Sequence, residues 1–471
     1  MEIVQDQEIS EPVSPSGQFL SSSILSLSII AVTEFEAPFD DSQAIPFLKD
    51  VFLPVNPRFS SIMVADKDGV KRWKRVEVRL TDHVNFPVFT TGMSTQFYDE
   101  CFDEYLSKMA MEQLPRSQPL WEVHIINYPT SHAASSIIFK LHHSLGDGFS
   151  LMGALLSCFQ RADAPPLPLT FPSVQLHTNT YGRNSSMFRK VPRFFSSVYN
   201  TASDFCSSIM KSCLVKDDKT PIRSGHSGVE FLPVAITTMA FSLDQIKQIK
   251  AKLGVTINDV ITGIIFLGAR MYMKREQGSG SACSTSLVLL NTRMHGSYKS
   301  IQEMVKPDAE SPWGNHFAFL NVRIPKLRDA EAKNNPLKFV LNARKIIKRK
   351  RSSFGVYLTA RYLQLAAKFR GPNGASKYIY GTMKNTSMGI SNVRTNEQMA
   401  LANNPINGLY FVVTGAPQSL MAGVTSYVGK LRVSLLVEKD FIDPQKLKSH
   451  IEKAFDIIFE AACRESTPPA T

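Results

Sequence analysis

Residues 137–152 read IIFKLHHSLGDGFSLM, and this stretch constrains the fold more than any other in the chain. An apolar run of strand length ends in two adjacent histidines, Gly146, Asp147 and Gly148 break it, and FSLMGALLSCF (149–159) resumes as an apolar helix. A strand feeding a helix through a tight turn is a building unit of α/β architecture. Side chains alternate between the two faces of a strand. Ile137, Phe139, Leu141 and His143 therefore share one face, and Ile138, Lys140 and His142 share the other. Lys140 marks the second face as the less buried one. His143 then ends a row of apolar residues and points into a packed interior or a lined cavity, while His142 points away.

That position suits a proton-transfer group. Histidine has an ordinary pKa of about 6.5, so a neutral imidazole can take a proton near neutral pH and return it. Gly146 and Gly148 let the backbone turn sharply or approach a substrate closely. The spacing also has plain structural explanations: Asp147 caps the following helix, and a histidine at a strand end is a hydrogen-bonded core residue. Other chemistries fit less well. Neighbouring histidines on a strand face opposite ways and no third ligand is evident, so no metal site is expected. The chain has no GxSxG elbow, its Gly-Ser-Gly at 278–280 sits in a polar loop, and neither a Walker A nor a GxGxxG sequence occurs.

The 471 residues suffice for two or three domains or one two-lobed unit. Residues 1–16, acidic and polar and ending in PVSPS, read as a flexible tail. A first lobe over 17–163 alternates strands and helices. Strands are expected at 60–66 and 72–80 around a turn at 67–69, a helix at 102–114, and a strand from Trp121 after Pro119. Residues 164–230, with APPLPLTFP and the basic-aromatic FRKVPRFFSSVYN (188–200), read as a connector holding one or two helices. A second lobe over 231–471 carries a helix at 241–254 stopped by Gly254, a long buried helix at 256–276, and late strands in GLYFVVTG and KLRVSLLVE. Asn258 and Asp259 fall in the first turn of the long helix, where polar and acidic groups favour the positive helix end, so capping alone accounts for them. Pro119, Leu120, Trp121 and Glu122 read as a strand entry with a buried tryptophan.

HHSLGDG (142–148) matches the HHxxxDG signature of the coenzyme-A-dependent acyltransferase superfamily. Its neighbours narrow the choice. PVSPSGQFL (12–20), NPRFSS (56–61), LPRSQPLWEVHII (114–126), TINDVITGII (256–265), WGNHFAFLNVRIP (313–325) and SNV (391–393) follow in order. Together they resemble the bifunctional wax ester synthase/diacylglycerol acyltransferase family, and most its plant members, over nearly the full chain. The resemblance implies an α/β fold of two lobes, each a mixed sheet flanked by helices, with a tunnel between them. It implies transfer of a fatty acyl group from acyl-CoA to a long-chain alcohol or to diacylglycerol, with acyl-CoA as co-substrate and no permanently bound cofactor. The second motif histidine, His143, is the implied general base, beside His142, and Asp147 is expected to hold the loop. Gly148, Asn258, Asp259 and Asn392 are expected at the substrate site, Asn258 and Asn392 as candidate donors to the oxyanion. Thr395 and Asn396 stand where the family has Gly-Pro after SNV, which bears on the turn beside the CoA or acceptor channel. The alternatives are another hydroxyl or amine acceptor, or a catalytically silent lipid-binding relative. Plant acyltransferases that use such acceptors carry a late DFGWG block, which this sequence lacks, and the intact HHSLGDG argues against silence.

The formal net charge of +12 points to an anionic partner. ARKIIKRKR (343–351) reads as a solvated face, whereas the basic-aromatic 188–215 segment suits peripheral contact with anionic headgroups. Nucleic acid is not expected, since the aromatics belong to no recognised binding module. The opening residues do not resemble a secretory leader, and no run of about 18 apolar residues occurs, so membrane contact is expected to be peripheral. Six scattered cysteines without a CxxC pair suit a reducing compartment. The expected location is the cytosolic face of the endoplasmic reticulum membrane, with the plasma membrane as the alternative.

Overall fold

A computed structural model describes residues 11–66, 70–162, 169, 187–278, 280–293, 304, 313–327, 335–351, 353–394 and 398–463, with 187–197 as backbone alone. The expected turn at 67–69, the Thr395–Asn396 departure, the side chains of 188–197 and all of 164–172 but Leu169 lie outside them.

Two mixed sheets organise the chain. The seven-stranded sheet runs Val84–Asn85, Trp121–Ile126, Ser135–His142, Ser28–Phe35, Asn404–Thr414, Met399–Leu401, Gln160–Arg161. The six-stranded sheet runs Phe317–Arg323, Thr285–Asn291, Met388–Arg394, Leu420–Tyr427, Lys430–Glu438, Val234–Ser242. Parallel and antiparallel pairings occur in both. Glu11–Pro12, Lys71–Arg75 and Ser61–Ala65 form a small third sheet. The α/β architecture with helix-flanked mixed sheets is the expected one.

The lobe boundaries need correction. Asn404–Thr414 comes late in the chain, yet it pairs antiparallel with Ser28–Phe35 in the first sheet, and Met399–Leu401 pairs with Gln160–Arg161. The run LYFVVT (409–414) is buried along its whole length, and such a strand carries no mark of which sheet will take it. The tail also ends earlier than expected. Glu11 and Pro12 pair with Trp73 and Arg72, Val13 is buried, and Ser14 caps the short Pro15–Phe19 helix through its hydroxyl.

The second face of Ser135–His142 is not the less buried one that Lys140 suggested: the whole strand is buried, Lys140 included. Glu122 stands opposite Lys140 on the neighbouring strand. The Thr95–Met111 helix closes over this face, where Tyr105 meets Nδ1 of His124 at 2.7 Å. A lysine stem can pack as hydrocarbon, so its charge did not mark exposure here.

The long helix expected at 256–276 spans Ile257–Gln277 and forms the core of the second lobe. Thr256 and Asp259 close a reciprocal capping box at its start. Gly254, at φ 59°, ends the preceding Leu243–Leu253 helix in the left-handed region that favours glycine. Gly263 and Gly268 let two helices approach closely: a Cβ on Gly263 would lie 2.6 Å from Val340, and one on Gly268 2.6 Å from Ile451. In the connector, Met187–Cys213 is a single helix. Among the described residues no single helix is long and apolar enough to cross a membrane.

Candidate active site

His143 follows the last residue of the Ser135–His142 strand, and both motif histidines are buried. Their rings are held in opposite tautomers. Nδ1 of His142 accepts from the Ser144 amide at 3.1 Å, which leaves Nε2–H to donate to the Ser26 hydroxyl at 3.1 Å; the Ser144 hydroxyl lies 2.8 Å from Nδ1. Burial, then the charges of His143, Arg116 and Lys71, push the His142 pKa down to about 3, so this ring stays neutral.

Asn315 fixes the other tautomer. Its amide nitrogen donates to the His143 carbonyl at 2.8 Å, and its Oδ1 sits 2.8 Å from His143 Nδ1. Turning that amide over would set two oxygens face to face, so Nδ1 carries the proton and donates to Asn315. Nε2 then holds the lone pair, and among the described residues it makes no hydrogen bond. Burial lowers the His143 pKa, while the Asp147 carboxylate and the Asn315 hydrogen bond pull the other way. The result is a neutral imidazole with its basic nitrogen free.

Asp147 caps the Gly148–Cys158 helix, accepting from the Ser150 amide at 2.9 Å, as its position in the sequence suggested. It does more than cap. Arg293 meets it with two parallel bonds, Nη1 to Oδ2 at 2.7 Å and Nη2 to Oδ1 at 3.0 Å, and the His316 amide adds another at 2.9 Å. Burial acts to raise the Asp147 pKa, but the Arg293 charge and these hydrogen bonds outweigh it and hold the carboxyl below its ordinary range. Arg293 Nη2 also donates to the Ser150 hydroxyl and the Gly314 carbonyl, both at 2.8 Å. Trp313 Nε1 donates to the Leu145 carbonyl at 2.7 Å. The histidine loop is therefore gripped by residues 293 and 313–316, which flank two strands of the other sheet.

The remaining expected residues fall into two groups. Gly148 opens the Gly148–Cys158 helix, and a Cβ there would meet Val393 at 3.4 Å. Val393 is next to Asn392, whose amide nitrogen donates to Asn258 Oδ1 at 3.3 Å. Gly148, Asn392 and Asn258 are thus brought into one neighbourhood, with no hydrogen bond to His143 among the described residues. Asp259 is buried in its capping box and does not join them.

A cavity of about 350 Å³ lies under the Gly355–Arg370 helix and reaches Asn315 and His316; Gly148, Asn258 and Asn392 are not among its walls. Phe19, Asn315, Phe317, Phe319, Leu363 and Ile379 are among its walls. The Phe317 ring lies 5.4 Å from that of His143, so two wall residues, Phe317 and Asn315, connect the candidate base to the cavity. Its size and lining are those of a small-molecule site. Among the described residues no group of three His, Cys, Asp or Glu side chains could hold a metal ion.

Sequence reasoning missed the roles of Arg293 and Asn315. Asn315 lay inside WGNHFAFLNVRIP, a block noted for resemblance without a task for any side chain. Arg293 lay in LLNTRMHG, which carries no readable signal. Each reaches the histidine loop across more than a hundred residues of chain.

Comparison with known proteins gives the family and the fold. The wax ester synthase/diacylglycerol acyltransferase catalytic-domain family matches residues 52–261, and the WS/DGAT C-terminal domain matches residues 313–459. Wax ester synthase/diacylglycerol acyltransferase 4 of Arabidopsis thaliana is 28% identical, over 98% of this chain and 92% of its own. Number 11 from the same plant is 26% identical, over 95% and 94%. Among solved structures, the wax ester synthase/diacylglycerol acyltransferase from Marinobacter aquaeolei VT8 superposes with a TM-score of 0.59 at 16% identity, covering 96% of this chain and 99% of its own. The starter condensation domain of rhizomide synthetase, in complex with C8-CoA, gives 0.57 at 11% identity, covering 98% and 96%.

Proposed function

Because the chain belongs to the wax ester synthase/diacylglycerol acyltransferase family and is an acyl-CoA-dependent acyltransferase, we propose that His143 is its general base and that the acyl group passes directly from CoA to a lipid hydroxyl. The observation that carries this reading is the Asn315 clamp, which leaves Nε2 of a buried, neutral imidazole free beside an apolar cavity. His143 Nε2 removes the proton from the acceptor hydroxyl as that oxygen attacks the thioester carbonyl. The tetrahedral intermediate collapses, the carbon–sulfur bond breaks, and the same nitrogen returns the proton to the departing thiolate. No acyl-enzyme is formed.

Arg293 and Asp147 hold the loop that carries His143, and His142 secures the strand end to Ser26. Asn258 and Asn392 are the proposed donors to the oxyanion, supported by their position across Val393 from Gly148. The aromatic and aliphatic walls of the cavity, which also holds Asp204, Lys350 and several hydroxyl side chains, suit a long acyl or alkyl chain and support a fatty alcohol or diacylglycerol as acceptor. Both acceptors dissolve in membranes while acyl-CoA is delivered from water, so the proposed workplace is the cytosolic face of the endoplasmic reticulum. Exposed Tyr199, Met210 and Leu214 in the 188–215 segment support peripheral contact there.

The test offers labelled palmitoyl-CoA with hexadecanol and with dioleoylglycerol to the purified protein and to His143→Ala. The reading expects lipid product from the native chain and a loss of about 10²–10⁴-fold in the variant. Product that survives the substitution would sink the proposed base. A folded native protein with no product from either acceptor would sink the proposed acceptors.

A further inference from the structure

The Gly355–Arg370 helix turns two working faces in opposite directions. Val356, Thr359, Ala360 and Leu363 line the cavity. Outward, Phe354, just before the helix, is 64% exposed, Tyr357 61% and Phe369 79%, with Leu358 and Leu365 also exposed. Phe354, Leu358, Leu365 and Phe369 recur at the spacing of a single helical stripe, with Arg361 completing it. The helix packs beside Met187–Cys213 through the Phe205 and Tyr362 rings. That neighbour exposes Tyr199, Met210 and Leu214 in turn.

Charge selects what covers this face. Between Lys338 and Lys384 the sequence holds twelve Lys and Arg residues and no Asp or Glu, which equals the net charge of the whole chain, +12. Along the sequence the excess is therefore concentrated in this stretch, which carries Arg361, Lys368 and Arg370 on the helix itself. A second copy would bring the same positive charge to the same place and be repelled. Arg349 and Lys350 pair with Asp204, whereas Arg361, Lys368 and Arg370 form no ion pair among the described residues. Aromatic and leucine side chains set among those three cations match one kind of surface, an apolar layer beneath anionic headgroups.

We propose that the outer face of the Gly355–Arg370 helix docks on an anionic lipid surface, so that a lipid acceptor reaches the cavity past the helix that forms its wall. This rests on the acyltransferase reading above and adds to it the route of the acceptor. The distance to be crossed is one helix, about 10 Å across. The apolar residues enter the interface, while Arg361, Lys368 and Arg370 meet phosphates and serine carboxylates.

The test is co-sedimentation of the full chain with vesicles of phosphatidylcholine alone and of phosphatidylcholine mixed with phosphatidylserine. Native protein is expected to partition onto the mixed vesicles. The double variant Tyr357→Glu/Phe369→Glu is expected to partition at least tenfold less, with its melting temperature unchanged because both side chains are exposed. Arg361→Gln/Lys368→Gln/Arg370→Gln is expected to lose roughly 100-fold on the mixed vesicles and little on the neutral ones. Turnover of dioleoylglycerol in vesicles should fall with binding in both variants, and turnover of a short-chain alcohol in free solution should not. A double variant that partitions within twofold of native, or native protein indifferent to phosphatidylserine, would overturn the proposal. So would a raised KM for acyl-CoA in the charge variant with vesicle binding intact, since the cations would then be reading the CoA phosphates. Failure of the acyltransferase reading looks different: no product from any acceptor, whatever the vesicle binding.

Discussion

Replacing Arg293 by methionine should weaken the protein more than any other single polar change near the site. The side chains of Arg293 and Asp147 are 2% and 6% exposed, and their two bonds of 2.7 and 3.0 Å form a planar fork. At an effective dielectric of 20, unit charges about 4 Å apart attract by about 4 kcal/mol. Removing one partner of a buried pair strands the other charge and typically costs 3–5 kcal/mol. Asp147 would keep two backbone amides, those of Ser150 and His316, so the low end applies, about 3 kcal/mol. The Arg293→Met/Asp147→Asn double variant leaves no stranded charge and should recover half of that loss or more. Urea unfolding at pH 8 and pH 5 measures both, read from the midpoint at constant slope. In the native protein Asp147 has a lowered pKa. Its contribution is complete above the ordinary carboxylate value, about 4, and is lost as pH falls through the lowered one. Without Arg293 the raising effect of burial is unopposed by that charge, so acid neutralises the stranded carboxylate and the deficit of the single variant should shrink towards pH 5. A single-variant loss below about 1 kcal/mol at pH 8, or a double variant no better than the single, would refute the reasoning.

The pH profile of kcat/KM tests the His143 tautomer. Burial leads the lowering of its pKa, so the rate should stay level as pH falls to about 6.5 and decline only in more acid solution. Asn315→Asp sets a carboxylate against Nδ1–H, favours the protonated ring and should move that acid limb to higher pH; an unmoved limb would separate Asn315 from the base. Gly263→Ala and Gly268→Ala drive a methyl to within 2.6 Å of Val340 and Ile451, where backbone as well as side chain blocks it, and each should cost about 1–3 kcal/mol by urea unfolding. Lys140→Met removes a fully buried cation whose pKa is lowered chiefly by burial, at nearly constant volume. Its urea midpoint should lie within about 1 kcal/mol of native or above it, and a loss beyond that would mean that the Glu122 partnership stabilises the sheet.

What was legible in the sequence was local. Two-residue periodicity separated His143 from His142, and the structure gives each ring its own set of partners on its own side. Asp147 as a helix cap, Gly254 as a helix stop and the Thr256 start all depend on neighbours a few residues away, and each was readable for that reason. Lys140 misled because its exposure was set by the Thr95–Met111 helix and by Glu122 on the next strand, neither of which the strand itself encodes. The Asn404–Thr414 strand was readable as a strand but not as a member of the first sheet, since its neighbour there is nearly four hundred residues away. Arg293 and Asn315 carry no local pattern at all. Their meaning exists only after two distant loops have met.

That meeting gives the HHxxxDG loop its chemistry. A strand end and five loop residues cannot choose a histidine tautomer by themselves. Nδ1 of His143 has its partner in Asn315, the Leu145 carbonyl accepts from Trp313, and the Asp147 amide and carboxylate are bonded to Gly314, His316 and Arg293. All of these partners lie between residues 293 and 316, flanking the edge strand Phe317–Arg323 and its neighbour Thr285–Asn291. Phe317 begins that edge strand, and the wall of the cavity, directly after the clamp. The register of one strand pair therefore sets the ring orientation of His143 and the position of one cavity wall together. A shift of one residue there would reverse the faces of the strand, withdrawing the clamp from His143 and turning Phe317 and Phe319 away from the cavity. The proposed base and the cavity beside its clamp are a single geometric consequence of how the second sheet meets the first.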